Sequence, residues 1–299
     1  MKQHIIDYVK QFDHRLVSPI WGGEQAFHFM CLGHLNISRA LGFELEQATP
    51  VLTVVKENQI TTEEQLDELI AKRIFDYTDF DSEVEYLRNS IKVKMENNGR
   101  YLCGGGCFGP LTVVSGILGA ERMLKMSIKK PQMVKKFVAY VTEFMVELAE
   151  REAKVGQEFF WIAEPLASLF SPQKFWEFSG QYLKRIFDAA DAPGFLHVCG
   201  PTIKHTKYME ETGAEVLSID YCTDIGECIR MVEPHVVIMG NVSPNNLRLG
   251  TKEDVEQEVG QILDACEGFP NFVLSTGCSI MGGTPDENMQ VLFEMCRVR

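Results

Sequence analysis

Long apolar runs, a basic excess and the common nucleotide-binding motifs are all missing from this 299-residue chain. No stretch nears the roughly 20 consecutive apolar residues that cross a bilayer, so no membrane-spanning role is expected. The opening MKQHIIDYVKQFDHR has no apolar core followed by a small-residue cleavage site, which points to a cytoplasmic protein. Lys and Arg number 29 against 42 Asp and Glu, a formal charge of -13. Such a field repels phosphate backbones and anionic headgroups, so neither nucleic acid nor membrane is an expected partner. GxGxxG after a first strand and GxxxxGK[ST] are absent, and so is the GxSxG nucleophile elbow, which argues against dinucleotide, P-loop and serine-hydrolase chemistry. No Pro/Ser-rich linker, low-complexity tract or close repeat divides the chain, so residues 1–299 read as one domain.

What is present is a 45% hydrophobic chain in which strand and helix patterns alternate. Pro131 can open a helix on which Val134, Phe137, Val138, Val141, Phe144, Met145 and Leu148 recur every three or four residues, with Gly156 as a stop. Short apolar strands are expected at 158–163, 194–199, 215–220, 235–240 and 271–276, and in the less regular first half at 17–21, 50–55 and 100–103. Thr251 to Asp254 and Thr284 to Glu287 read as capping boxes or close variants. Eight strand-helix units in a chain of this length predict an α/β fold, a single-domain (β/α)8 TIM barrel, with a doubly wound open sheet as the alternative.

In either fold, chemistry gathers at the carboxyl ends of the strands. Those ends carry Glu164, His197 with Cys199, Asp220, Asn241 and then Cys278. His197 and Cys199 are two apart on a strand and so share a face. Cys278, in the sequence STGCS, can add a second thiolate from elsewhere in the barrel. One imidazole and two thiolates with a fourth position open is the arrangement of a catalytic zinc site. A plainer reading stands beside it: the chain has nine cysteines, and free cysteine is among the most often buried residue types. Cys222, Cys228 and Cys266 read as packing residues, and the glycines between Cys103 and Cys107 as a strand-to-loop turn. Glu164, Asn241, Glu24 and His28 are candidate substrate-binding residues at the mouth, though Glu164, Asn241 and Glu24 fit helix caps or surface positions equally.

Taken together, FLHVCG, GPLTVVSGILGAE, EPLASLFSPQKFWEF, IMGNVSPNNL and LSTGCSIMGGTPDENM resemble the uroporphyrinogen decarboxylase superfamily, and within it the corrinoid-dependent methyltransferase branch. The likeness is clearest over residues 100–299. It implies a TIM barrel with zinc on His197, Cys199 and Cys278, and with Asp220 in the fourth zinc position when substrate is absent. It also implies methyl transfer between a small-molecule thiol or methyl ether and the cobalt of a corrinoid, methylcobalamin in the methylated state. A corrin is too large for the barrel interior, and the base-off signature DxHxxG is missing, so a separate corrinoid protein is the expected partner. The metal-free decarboxylase branch is the alternative. It holds a polyanionic tetrapyrrole through an arginine-rich N-terminal segment, and here SPIWGGEQAFHFM supplies no arginine between Arg15 and Arg39.

Overall fold

The computed structural model describes residues 43–49, 52–56, 59–71, 80–96 and 102–298. Near its start, β1 (Leu45–Thr49) and β2 (Leu52–Val55) pair antiparallel as a two-stranded hairpin. Six further strands are short and apolar, and such strands need cover on both faces, which parallel pairing with helical crossovers supplies. These are β3 (Gly105–Phe108), β4 (Phe160–Ala163), β5 (Gly194–Val198), β6 (Val216–Ile219), β7 (Val237–Val242) and β8 (Phe272–Thr276). Their order in the sheet is their order in the chain, and every neighbouring pair is parallel. A doubly wound sheet reverses its strand order at a switch point. These strands never do, so their winding is that of the expected α/β barrel.

The register builds the barrel interior in rows. Trp161, Phe195, Val216 and Val237 face one another across β4 to β7, and two residues further along lie Ala163, His197, Ser218, Met239 and Val273. Six of these residues form the inner apolar cluster, with Phe159 and Phe195 packed against it. The alternate positions, among them Phe160, Ile162, Leu196, Leu217, Ile238 and Leu274, join the larger core beneath the helices. The helix Pro131–Val155 is its backbone, with all seven expected apolar positions buried and Phe144 stacked on Phe80 at 4.9 Å. Thr251 and Asp254 form the expected capping box on the helix Lys252–Ala265. Among the described residues, no helix is long and apolar enough to cross a membrane.

Three expectations change. The 50–55 strand exists as β2, but it pairs antiparallel with β1 and takes no place in the parallel sheet. The 100–103 strand moves to Gly105–Phe108. The glycines there are strand residues because a Cβ on Gly106 would lie 2.1 Å from the Trp161 carbonyl oxygen of β4. Thr284 donates its hydroxyl to the Met281 carbonyl and does not cap the final helix, Asp286–Val298. The 17–21 strand lies outside the described residues.

Candidate metal centre

Above the inner apolar layer the barrel turns polar. His197 sits on β5, Cys199 and Asp220 one residue beyond β5 and β6, and Cys278 two beyond β8. One ligand atom from each of the four lies within 4.8 Å of all the others. His197 and Asp220 are buried and the two thiols half-buried, so the group meets solvent through its sulfurs. His197 Nε2 is 3.2 Å from Cys199 Sγ, while Nδ1 is 3.0 Å from the Ser218 hydroxyl. Ser218 is the register partner of His197 on β6, so strand pairing itself delivers this contact. The imidazole also lies nearly parallel to the Trp161 ring, with 6.3 Å between centroids. Asp220 accepts the Gly200 N–H on Oδ2 at 2.9 Å and the Cys222 N–H on Oδ1 at 3.0 Å. Cys278 reaches the cluster because residue 277 has no side chain: a Cβ there would be 2.4 Å from the Tyr221 nitrogen.

This donor set fits zinc. Tetrahedral zinc with bonds of about 2.0–2.3 Å spaces its ligands roughly 3.3–3.8 Å apart; here the four ligand atoms lie within 4.8 Å of one another, with His197 Nε2 3.2 Å from Cys199 Sγ. Two soft sulfurs, an imidazole and one carboxylate form a borderline-soft set that disfavours magnesium or calcium. Without a cation, the thiols oppose one another. The Cys278 thiol is held well below its ordinary range by hydrogen bonds from Cys199 and His197. Cys199 is pushed up, first by that same bond to Cys278 and then by burial. A single negative charge is thus easily carried by the pair and a second is not, the situation a bound cation relieves.

Two expected mouth residues turn out to be engaged elsewhere. Glu164 is fully buried, and its carboxylate accepts the N–H groups of Leu111 at 3.1 Å and Thr112 at 2.8 Å, the Thr112 hydroxyl, and the Ser179 hydroxyl at 2.8 Å. It anchors the N-terminus of the helix Pro110–Leu118 and presents no surface to a substrate. Burial pushes its carboxyl pKa up, and the four donors pull back only part of that rise. Asn241 donates its amide to the carbonyls of Asp220 at 3.1 Å and Thr223 at 2.7 Å, so it braces the loop after β6. Glu24 and His28 lie outside the described residues. Cys228 and Cys266 are buried as packing residues, but Cys222 is exposed beside Asp220, its thiol pushed up to about 11 by burial and by the Asp220 carboxylate. The sequence reading missed Ser218, although its place two residues before Asp220 on one strand puts it on the same face.

Comparison with known proteins follows the same lines. The profile of the uroporphyrinogen decarboxylase (URO-D) family matches residues 20–298. A uroporphyrinogen decarboxylase of Prochlorococcus marinus is 28% identical over 174 residues, which is 56% of this chain and 49% of that protein. The methylcobamide:CoM methyltransferase MtbA of Methanosarcina mazei is 29% identical over 215 residues, 70% of this chain and 62% of that protein. The chain therefore spans between about half and under two thirds of these two relatives. A solved methyltransferase from Methanosarcina mazei, at 23% identity, superposes with a TM-score of 0.73 over 88% of this chain and 77% of that one, and shares the barrel fold. Because the family profile runs through every strand of the parallel sheet and through all four residues of the cluster, the chain belongs to the uroporphyrinogen decarboxylase (URO-D) family.

Proposed function

We propose that this chain is a zinc-dependent methyltransferase that moves a methyl group between a small-molecule thiol or methyl ether and the cobalt of a corrinoid carried by a partner protein. Residues 1–299 act as one barrel domain in the cytoplasm, with no nucleic acid or membrane as partner. The observation that carries the reading is the convergence of His197, Cys199, Asp220 and Cys278 at the carboxyl ends of the strands. The likeness to a methylcobamide:CoM methyltransferase supports it. Zinc held there would favour the thiolate form of a thiol substrate or polarise an ether oxygen. His197 is kept in one orientation by Ser218 and Trp161, so Nε2 faces the sulfurs. Asp220, its carboxylate held by two backbone N–H groups, would complete the ligand set at rest and would yield to the substrate heteroatom. Trp161, Val216, Val237 and Met239 close the barrel beneath the site, so the reactants meet on the sulfur side, away from water below.

The test begins with metal analysis of the purified protein, which should hold zinc at one ion per chain. Corrinoids change visible absorption when methylated, so methylcobalamin is mixed with thiol acceptors, and reduced corrinoid with methyl ethers. Zinc-loaded protein should interconvert the spectra, and His197→Ala should abolish the change. Decarboxylation of uroporphyrinogen by metal-free protein, with every corrinoid spectrum static, would replace this reading with the decarboxylase alternative.

A further inference from the structure

A metal site formed from the ends of three strands, β5, β6 and β8, has to hold its ligands at fixed separations. Cys199 and Asp220 follow neighbouring strands, so their separation depends on how the turn after β5 sits against the loop after β6. One side chain joins the two. The Thr223 hydroxyl accepts the Thr202 N–H at 3.0 Å and donates to the Gly200 carbonyl at 3.1 Å, so it clasps the turn next to Cys199 from both sides. Its own backbone completes the link. The Thr223 N–H donates to the Asp220 carbonyl at 3.0 Å, and its carbonyl takes the Asn241 amide, which also reaches the Asp220 carbonyl. The Gly200 N–H then closes the circuit on the Asp220 carboxylate. Thr202, Thr223, Asp220 and Asn241 are all buried, so losing one of these bonds leaves buried polar groups unpaired.

We propose that Thr223 is a positioning residue of this site: its hydroxyl locks the Gly200 turn to the Asp220 loop and fixes the placement of Cys199 relative to Asp220, and through it the approach of Cys199 to Cys278, before any metal arrives. The proposal rests on the zinc reading above for its consequence, but the brace itself is a property of the chain. Supporting groups of this kind orient ligands, and their loss typically lowers metal affinity about 10–100-fold. Thr223 touches neither metal nor substrate in this account, so it acts only through Cys199 and Asp220.

Thr223→Val keeps the shape of the side chain and removes the hydroxyl, while Thr223→Ser keeps the hydroxyl. Zinc affinity is measured by chelator competition, and the cobalt(II)-substituted absorption spectrum reports the ligand field. The valine variant should lose about 10–100-fold in affinity and shift the cobalt spectrum, and the serine variant should restore both. A third measurement needs no metal: a trivalent phenylarsenical bridges two thiols with loss of water, and bridging of Cys199 to Cys278 should slow in the valine variant alone. If Thr223→Val does not fold, Thr223→Ala removes the same hydroxyl with less bulk and is read in the same way. Wild-type protein that takes up no zinc overturns the zinc reading, and the arsenical measurement then still decides the brace. Valine and wild-type proteins with equal bridging rates and equal affinities overturn the brace.

Discussion

Replacing Glu164 separates a residue that holds the scaffold from one that handles substrate. Its carboxylate serves four donors: two backbone N–H groups at the start of the helix Pro110–Leu118, and the hydroxyls of Thr112 and Ser179. In Glu164→Ala the hydroxyls can turn to other acceptors, but the N–H groups of Leu111 and Thr112 cannot. Two buried donors left unpaired cost about 1–2 kcal/mol each, and the loss of side-chain packing adds about 1 kcal/mol, for a total of about 3–5 kcal/mol. Glu164→Gln is milder. Its amide oxygen can serve one backbone donor, but its NH2 then meets the other, for a loss of about 1–3 kcal/mol. At roughly 2 °C per kcal/mol, thermal melts followed by circular dichroism should fall about 6–10 °C for alanine and about 2–6 °C for glutamine.

The pH dependence gives a second signature of the same variant. Burial raises the Glu164 pKa in the folded chain, so the native state holds this proton more tightly than the unfolded state does. Its contribution to stability is complete below the unfolded carboxylate pKa and is lost as pH rises through the folded pKa. The advantage of wild type over Glu164→Gln should therefore shrink as pH rises above the ordinary carboxylate range. A glutamine variant within about 0.5 kcal/mol of wild type at every pH, with a changed apparent substrate affinity, would refute the helix-anchor assignment.

Two further substitutions probe the cluster itself. Ser218→Ala removes the partner of His197 Nδ1 and frees the tautomer, so the folded variant should bind zinc about 10–100-fold more weakly and show an altered cobalt spectrum; unchanged affinity would show that Trp161 stacking alone orients the ring. Asp220→Asn keeps an oxygen acceptor but removes the charge, so zinc should stay bound while the cobalt spectrum shifts. Complete loss of metal would mean that Asp220 is an obligatory ligand, not a displaceable one.

Where local periodicity decides structure, the residues could be read in advance. His197 and Cys199 share a face because strand side chains repeat every two residues, and both arrive at the cluster. The helix Pro131–Val155 was equally legible, since its apolar spacing and its Pro and Gly ends agree. What could not be read needs two chain segments in register. Ser218 becomes the partner of His197 only when β5 and β6 are aligned, and the pairing of β2 with β1 is fixed by a neighbour its own sequence does not name. Glu164 was correctly placed at a strand end, but its direction is set by the helix Pro110–Leu118, which precedes it by about fifty residues. The hydrogen bonds of Asn241 were hidden from the sequence for the same reason. An amide beside a site looks like a substrate contact until the carbonyls of Asp220 and Thr223 are found within its reach.

Family membership alone does not choose between decarboxylation and methyl transfer, because relatives of both kinds match at nearly the same identity. The donor set of the cluster bears on that choice. Two thiols, an imidazole and a carboxylate whose ligand atoms lie within 4.8 Å of one another make a donor set that suits a borderline-soft cation. Retaining both thiols beside His197, with Ser218 orienting the ring and Thr223 bracing the turn, is consistent with a site built for a soft cation. The apolar layer of Trp161, Val216, Val237 and Met239 lies one layer below the cluster, whose two thiols are half-buried while His197 and Asp220 are buried, so a soft cation held there would be reached from the sulfur side.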